Sequence, residues 1–134
     1  MKRNLLFLWL GLLSIPMVAQ VKVNDHVEVM YFHGKQRCVT CMAIEKNALE
    51  VVEKDFANEK KSGRVVFKVV DLSTAEGAKI AKIYRVTWSS LFVNGWKNGK
   101  ETRNNMTQFG FKNARKHADV FKKGVKDKIK EQLK

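Results

Sequence analysis

The order of apolar and polar positions predicts a chain in which strands and helices alternate. HVEVMYF, residues 26–32, is short, rich in β-branched and aromatic side chains and followed by Gly34, which is typical of a buried strand. RVVFKVVDL, residues 64–72, has the same character and predicts a second strand. Between them, apolar residues at helical spacing predict an amphipathic helix that begins near Cys41 and ends near Ser62. These apolar residues are Ile44, Ala48, Val51, Val52 and Phe56.

The second half of the chain continues the alternation. AEGAKIAKIYRV, residues 75–86, predicts a shorter helix that Thr74 can cap. SLFV, two Asn-Gly pairs and KETR predict a hairpin from Leu91 to about Arg103. The tail, residues 112–134, predicts a long terminal helix whose lysines lie largely opposite its apolar face. That face consists of Ala114, Ala118, Phe121, Val125, Ile129 and Leu133. Because a strand-helix-strand unit takes a right-handed crossover, the first two strands are predicted to be parallel.

The first segment, MKRNLLFLWLGLLSIPMVAQ, is typical of a secretory signal peptide. It has a basic start, an apolar run over residues 5–13 and small residues near Ala19. We therefore predict a signal at residues 1–20, cleaved near Ala19 or Gln20, followed by one domain at residues 21–134. An uncleaved anchor is the less favoured alternative, because the apolar run is too short to cross a bilayer comfortably. The prediction places the protein outside the cytoplasm, in the periplasm of a bacterium, where disulfides persist.

The chain is strongly basic, and this narrows the choice of partners. Its formal charge is +13, or +11 once Lys2 and Arg3 leave with the predicted signal, and much of that charge lies in the terminal helix. A solvated helix face is the plainer explanation. The charges contain no aromatic platform of the kind that binds nucleic acid, so a nucleic-acid partner is not expected. An acidic partner protein or membrane contact through the basic C-terminal helix stays open, and we expect a monomer.

FHGKQRCVTC, residues 32–41, contains the only two cysteines of the chain, Cys38 and Cys41. The predicted elements place them where the first strand leads into the following helix. The positive end of that helix and the neighbouring Arg37 are expected to stabilise the Cys38 thiolate and lower its pKa, which makes Cys38 the attacking sulfur. Cys41 lies on the same helix face one turn deeper and is the expected resolving sulfur.

This order of elements around a C-x-x-C pair resembles the thioredoxin fold over essentially the whole mature chain. The resemblance implies an α/β three-layer sandwich, with a central mixed sheet of about four strands flanked by helices. YFHGKQRCVTC, VTWSSLF and a GKE hairpin are also similar to a narrower group of exported bacterial thioredoxin-like proteins, labelled as a subunit of a nitrophenyl-compound nitroreductase. That resemblance implies electron transfer or an accessory role with a partner protein, and no cofactor is expected.

The chain departs from the thioredoxin pattern at two places. Thioredoxins carry a cis-proline facing the cysteines, whereas alignment through VTWSSLF places Ser89 there, between Trp88 and Ser90. Because a cis bond before serine costs roughly 3 kcal/mol more than a trans bond, we expect either a trans peptide or a strained one. The buried acid that serves the resolving cysteine is also missing, and the strand offers Tyr31 or Phe32 in its place.

His33 and the two tryptophans near the pair have two interpretations each. In the first interpretation, His33 serves the cysteines, as a proton relay or as a third ligand for zinc or copper held by Cys38 and Cys41. In the second, His33 only hydrogen-bonds its own loop. Trp88 and Trp96 either line the rim beside the thiols or serve packing. The residues leave open a thiol-disulfide exchange or electron-transfer protein, a soft-metal or metalloid carrier, and a noncatalytic adaptor. Whether the protein is an enzyme also stays open. An inert disulfide is less favoured, because so short a loop removes little chain entropy.

Overall fold

The computed structural model describes residues 24–134, so the predicted signal peptide at residues 1–20 lies outside the described residues. The elements are β1 His26–His33, α1 Val39–Asp55, α2 Ala57–Ser62, β2 Val65–Asp71, α3 Ala75–Tyr84, β3 Ser90–Lys97, β4 Lys100–Thr102, α4 Thr107–Asn113 and α5 Ala118–Leu133. Within this part of the chain, no helix has the length and apolar character that crossing a membrane requires.

Strand β1 occupies the middle of a four-stranded sheet with the order β2-β1-β3-β4. It pairs parallel to β2 and antiparallel to β3, and β4 closes the hairpin with β3. The parallel pair confirms the predicted crossover through the intervening helix. Neighbours on both edges, together with helices over the sheet, bury almost the whole of β1. The position of β1 also carries its last residues, and the cysteines after them, to one end of the sheet.

Alternation along β1 divides the core into two clusters on opposite faces of the sheet. Val27, Val29 and Tyr31 belong to the larger cluster, which contains side chains from α1 and α5. Met30 and Phe32 belong to the smaller cluster, which contains side chains from α3. Helices therefore cover both faces of a mixed sheet. The predicted α/β class and the thioredoxin-like three-layer sandwich are confirmed.

The single helix predicted from Cys41 to Ser62 is wrong, because the structure divides it into α1 and α2. Phe56 lies between the two helices with φ −128° and ψ 35°, outside the helical region. Its side chain is only 3% exposed and packs in the larger core cluster. The helix is thus interrupted at a residue whose side chain is part of the core. The predicted end is correct, since Gly63 closes α2 with a φ of 81°.

The long helix predicted for the tail is likewise divided, into α4 and α5. Ala114 is buried in the connection between them, and its carbonyl oxygen accepts a 2.9 Å hydrogen bond from the Asn47 side chain of α1. The predicted apolar face of α5 is confirmed at Phe121, Val125 and Ile129, which are fully buried. A Cβ at Gly124 would lie 2.3 Å from the Phe109 ring, so the glycine lets α5 approach α4 closely.

The predicted hairpin is present, but only one of its two Asn-Gly pairs forms the turn. Asn98 and Gly99 have φ values of 53° and 75°, as a tight hairpin turn between two strands requires. Asn94 and Gly95 instead lie inside β3. A Cβ at Gly95 would lie 2.4 Å from the side-chain oxygen of Gln132, so this glycine serves the close packing of α5 on the sheet.

The helix predicted at residues 75–86 is confirmed, but it ends two residues earlier. The Thr74 hydroxyl accepts a 2.9 Å hydrogen bond from the Gly77 N–H, as predicted for an N-cap. The helix ends at Tyr84, because Arg85 adopts a left-handed conformation with φ 55°. The chain then passes through Thr87 and Trp88 toward β3, and this connection forms one wall of the site described next.

Candidate thiol-disulfide site

A disulfide joins Cys38 to Cys41 where β1 leads into α1, with Cα atoms 5.0 Å apart. Cys38 is the N-cap of α1, and its Sγ accepts a 3.0 Å hydrogen bond from the Cys41 N–H. Cys38 is exposed, whereas Cys41 is only 6% exposed. The predicted position between strand and helix is confirmed. The pair thus exposes Cys38 and keeps Cys41 buried under the first turn of the helix.

The disulfide borders an open groove of about 710 Å³. The loop after β1, the connection before β3 and Phe111 of α4 form its walls. Trp88 is 62% exposed, and its ring stacks on Phe111 with centroids 5.2 Å apart and planes inclined by 17°. Trp88 therefore lies at the rim beside the sulfurs. Trp96 does not, because it stacks on His26 at the other end of β1.

Ser89 lies in the wall of the same groove as both cysteines and is 6% exposed. Every peptide bond in residues 24–134 is trans. The bond before Ser89 is therefore trans, which is the first of the two alternatives predicted for it. The Ser89 hydroxyl faces the phenol of Tyr31. The position that a proline holds in the resembled fold thus carries a small polar side chain between the groove and the buried end of β1.

Tyr31 lies under the buried cysteine. Its side chain is fully buried, and its hydroxyl donates a 2.9 Å hydrogen bond to the Cys41 carbonyl oxygen. Burial raises the pKa of Tyr31 and the nearby Glu45 carboxylate raises it further, so the phenol stays protonated at neutral pH. Of the two residues considered for the place of the missing acid, Tyr31 faces Cys41. Phe32 points to the opposite face of the sheet.

Arg37 connects the end of β1 to α1. Its guanidinium lies 2.5 Å from the Glu45 carboxylate and donates a 2.6 Å hydrogen bond to Nε2 of His33. Nδ1 of His33 lies 2.9 Å from the Gly34 carbonyl, which can only accept, so we assign the ring proton to Nδ1. His33 thus hydrogen-bonds its own loop, in agreement with the second interpretation. Because Glu45 balances the charge of Arg37, the helix N-terminus is the larger source of positive potential at Cys38.

A resident metal does not fit the arrangement of these side chains. In residues 24–134, no three His, Cys, Asp or Glu side chains form a group that could hold a metal ion. The candidate set of Cys38, Cys41 and His33 has its two sulfurs bonded to each other and both ring nitrogens of the histidine in hydrogen bonds. The carrier function therefore stays a prediction for the reduced protein, without support from the positions of these groups.

Two residues of the site were missed in the sequence. Glu45 lies one helix turn after Cys41 on α1. Its place in the first two turns of a helix that follows Arg37 is a signal that could have indicated the pair of Arg37 and Glu45. Phe111 comes from α4, far along the chain, and reaches the groove only through the packing of α4 on α1. No local pattern predicts that contact.

Comparison with known proteins found solved structures of low similarity. No family model matches the chain, and no curated protein matches it by sequence. A thioredoxin from Thermus thermophilus has a TM-score of 0.48 and 22% identity, covering 76% of this chain and 72% of that chain. A structure described as that of a malarial protein has a TM-score of 0.43 and 21% identity, covering 73% of this chain and 96% of the other. The assignment of the fold rests on the strand order, strand directions and helix layers described above. The resemblance to proteins labelled as a nitroreductase subunit stays a prediction.

Proposed function

We propose that this protein is an exported thiol-disulfide exchange protein, in which Cys38 and Cys41 pass electron pairs to or from a partner protein in the periplasm. The observation that carries the proposal is a disulfide at a helix start with one exposed and one buried sulfur. A bond that closes so short a loop stabilises a fold very little, so chemistry explains it better than stapling. The separate accessibility of the two sulfurs corresponds to the two roles that exchange requires.

The exchange reaction needs no other oxidant or reductant, because the electrons pass only between this protein and its partner. In the reducing direction, the Cys38 thiolate attacks one sulfur of a partner disulfide, whose S–S bond breaks and whose other sulfur leaves as a thiolate. Cys41 then loses its proton to solvent, and its thiolate attacks the Cys38 Sγ. The mixed disulfide breaks, the Cys38–Cys41 bond forms, and the partner leaves as a dithiol after each of its thiolates takes a proton from solvent. Two electrons have moved to the partner, and the reverse sequence oxidises it.

The surroundings of the pair support this chemistry. The helix N-terminus stabilises negative charge on the sulfur of Cys38 during attack and release. The hydrogen bond from Tyr31 fixes the first turn of α1, and with it the position of Cys41. The Arg37–Glu45 pair ties the loop before Cys38 to the same helix. The open groove leaves the exposed sulfur accessible to a segment of another protein.

Trapping the intermediate tests the proposal directly. Cys41→Ser should accumulate a mixed disulfide with a peptide disulfide, detected as a mass increase that reductant removes, whereas Cys38→Ser should accumulate none. The wild type should reach a defined redox equilibrium with reduced and oxidised glutathione. The proposal fails if the folded wild type exchanges no faster than a variant with serine at both positions. The mass of the mature chain isolated from cells tests export, because cleavage near Ala19 fixes that mass.

A further inference from the structure

The surface beside the exposed sulfur contains three apolar side chains with little cover. Val39, Met42 and Trp88 are 59%, 48% and 62% exposed. Val39 and Met42 lie three residues apart on one side of α1, and Lys46 continues the same stripe. Trp88 lines the same groove as Cys38, and its ring stacks on Phe111. Exposed apolar side chains thus lie on α1 directly after Cys38 and in the groove beside it.

Four cations belong to segments next to this apolar surface. Lys35 lines the groove, and Lys112 directly follows Phe111, which also lines it. The hydrogen bond from Asn47 to the Ala114 carbonyl holds the end of α4 against α1, and Arg115 is the next residue along the chain. With Lys46, these cations form what we call the basic rim. It consists of Lys35, Lys46, Lys112 and Arg115.

The four cations of the basic rim have no close counter-charge, unlike several lysines of α5. On α5, Lys122, Lys123, Lys126 and Lys128 each lie within 4.0 Å of a carboxylate. In the described part of the chain, no carboxylate lies within that distance of any residue of the basic rim. Residues 1–23 contain no Asp or Glu that could supply one. These four positive charges are therefore not neutralised by a close carboxylate of the described chain.

We propose that this surface selects a partner protein whose reacting cysteine lies in an acidic segment that also carries a large apolar side chain. Asp and Glu residues on both sides of that cysteine would face the basic rim, and the apolar side chain would pack on Trp88 and Met42. Complementary charge raises the rate at which such a segment reaches the exposed sulfur of Cys38. The proposal rests on the proposed function and specifies the chemistry of the partner at the same site.

Three peptide disulfides of equal length test the charge preference. In each, a cysteine stands beside one phenylalanine and is flanked by Asp and Glu, by Ser and Gly, or by Lys and Arg. We expect the reduced protein to react about tenfold faster with the acidic peptide than with the basic one at low salt, because steering changes association rates by that order or more. The difference should shrink at high ionic strength, where exposed charges are screened.

Charge reversal provides the matched comparison. Lys46→Glu combined with Lys112→Glu should abolish or invert the preference. Lys130→Glu combined with Lys134→Glu makes the same change in net charge at the far end of the sheet, where Gln132 lies beside Gly95 and Gly95 pairs with Val27 at the start of β1. This control should keep the preference. Thermal unfolding of both variants confirms that they are folded.

Each outcome decides a separate claim. Exchange at equal rates with all three peptides, or an equal effect of the two double variants, overturns the acidic-partner inference and leaves the proposed function in place. No exchange with any peptide overturns the proposed function and the inference together. A cysteine-free acidic peptide should also bind the oxidised protein in a salt-dependent way, measured by fluorescence anisotropy. If vesicles of phosphatidylserine and phosphatidylcholine bind the rim and that peptide does not, the inference fails in favour of a membrane.

Discussion

The hydroxyl of Tyr31 donates a 2.9 Å hydrogen bond to the carbonyl oxygen of Cys41, and both residues are buried. This contact ties the central strand to the helix turn that holds Cys41, the proposed resolving cysteine. We expect Tyr31→Phe to lower the free energy of unfolding by about 1 kcal/mol, the net value of one such bond, measured by chemical denaturation. Resolution of the mixed disulfide should slow several-fold, measured by stopped flow, because the first turn loses its anchor.

Tyr84→Phe is the matched control for this prediction. The Tyr84 hydroxyl donates to the Glu101 carboxylate on the opposite face of the sheet. Its loss should also lower stability, but the rate of exchange at the disulfide should stay that of the wild type. If the two variants slow resolution equally, the effect comes from general loss of stability and Tyr31 has no special role.

Cys38 should be the first cysteine to react in the reduced protein. It is exposed and caps the helix, whereas Cys41 is 6% exposed. The helix N-terminus favours the thiolate of Cys38, so its labelling should begin at a lower pH than that of a model thiol. Limiting iodoacetamide followed by peptide mapping across pH measures this order. Preferential labelling of Cys41 would contradict the assignment of roles.

Ser89→Pro should raise the rate of disulfide exchange, because proline at this position in the resembled fold shapes the edge where a substrate docks. The structure favours a folded variant. In residues 24–134 the Ser89 N–H donates no backbone hydrogen bond, so proline removes none. Proline also restricts the preceding Trp88 to an extended conformation, so stability must be measured separately. Insulin reduction with a thiol donor measures exchange, and thermal unfolding measures stability.

Val93→Pro provides the comparison for this change. Val93 lies inside β3 and its N–H donates a 3.0 Å hydrogen bond to the Asn104 carbonyl oxygen, so proline there should destabilise the sheet. If Ser89→Pro stays folded and changes neither exchange nor metal binding, Ser89 does not act on the cysteines. The alignment through VTWSSLF would then be wrong.

Glu28 should make the protein less stable in acid. It is 7% exposed and accepts hydrogen bonds of 2.8 Å from Lys68 and 3.0 Å from His26. Burial raises the pKa of Glu28, but the hydrogen bonds and charges of Lys68 and His26 outweigh burial and hold the pKa below its ordinary value. A carboxyl whose pKa is lower in the folded state contributes stability above its unfolded pKa. That stability is lost as the pH falls through the folded pKa.

Glu28→Gln should therefore be less stable than the wild type near neutral pH, by about 1 kcal/mol, and the difference should close as the pH falls below about 4. Denaturation at a series of pH values measures it. Glu53→Gln is the control, because Glu53 pairs with Lys60 on an exposed surface and should change little. A constant difference across pH would show that ionisation of Glu28 is not the cause.

The sequence was sufficient for the class of fold and for the position of the cysteine pair. Both depend on local patterns: the short apolar strand before Gly34, the helical spacing after Cys41 and the turn residues of the hairpin. The sequence failed at Phe56, where the helix is interrupted although the residue is buried in the core. Apolar spacing there continues without a break while the helix does not.

The candidate site likewise combines features that local sequence predicts with features that only packing produces. Local position placed Cys38 at the helix start and His33 in its own loop. The Trp88–Phe111 stack and the bond from Asn47 to Ala114 join segments distant in the chain, and only packing brings them together. The balance of charge at Arg37 also depends on a side-chain contact with Glu45, which was not predicted from the sequence.

The N-cap of α1 joins folding to electron transfer, because one atom takes part in both. The Sγ of Cys38 accepts the Cys41 N–H, and an ionised sulfur is a stronger acceptor than a disulfide sulfur. Any free energy that the thiolate gains from this bond stabilises the reduced protein and makes the disulfide easier to reduce by the same amount. The midpoint potential of the pair and the melting temperatures of its two redox forms are thus linked, and a substitution that alters this helix start shifts both.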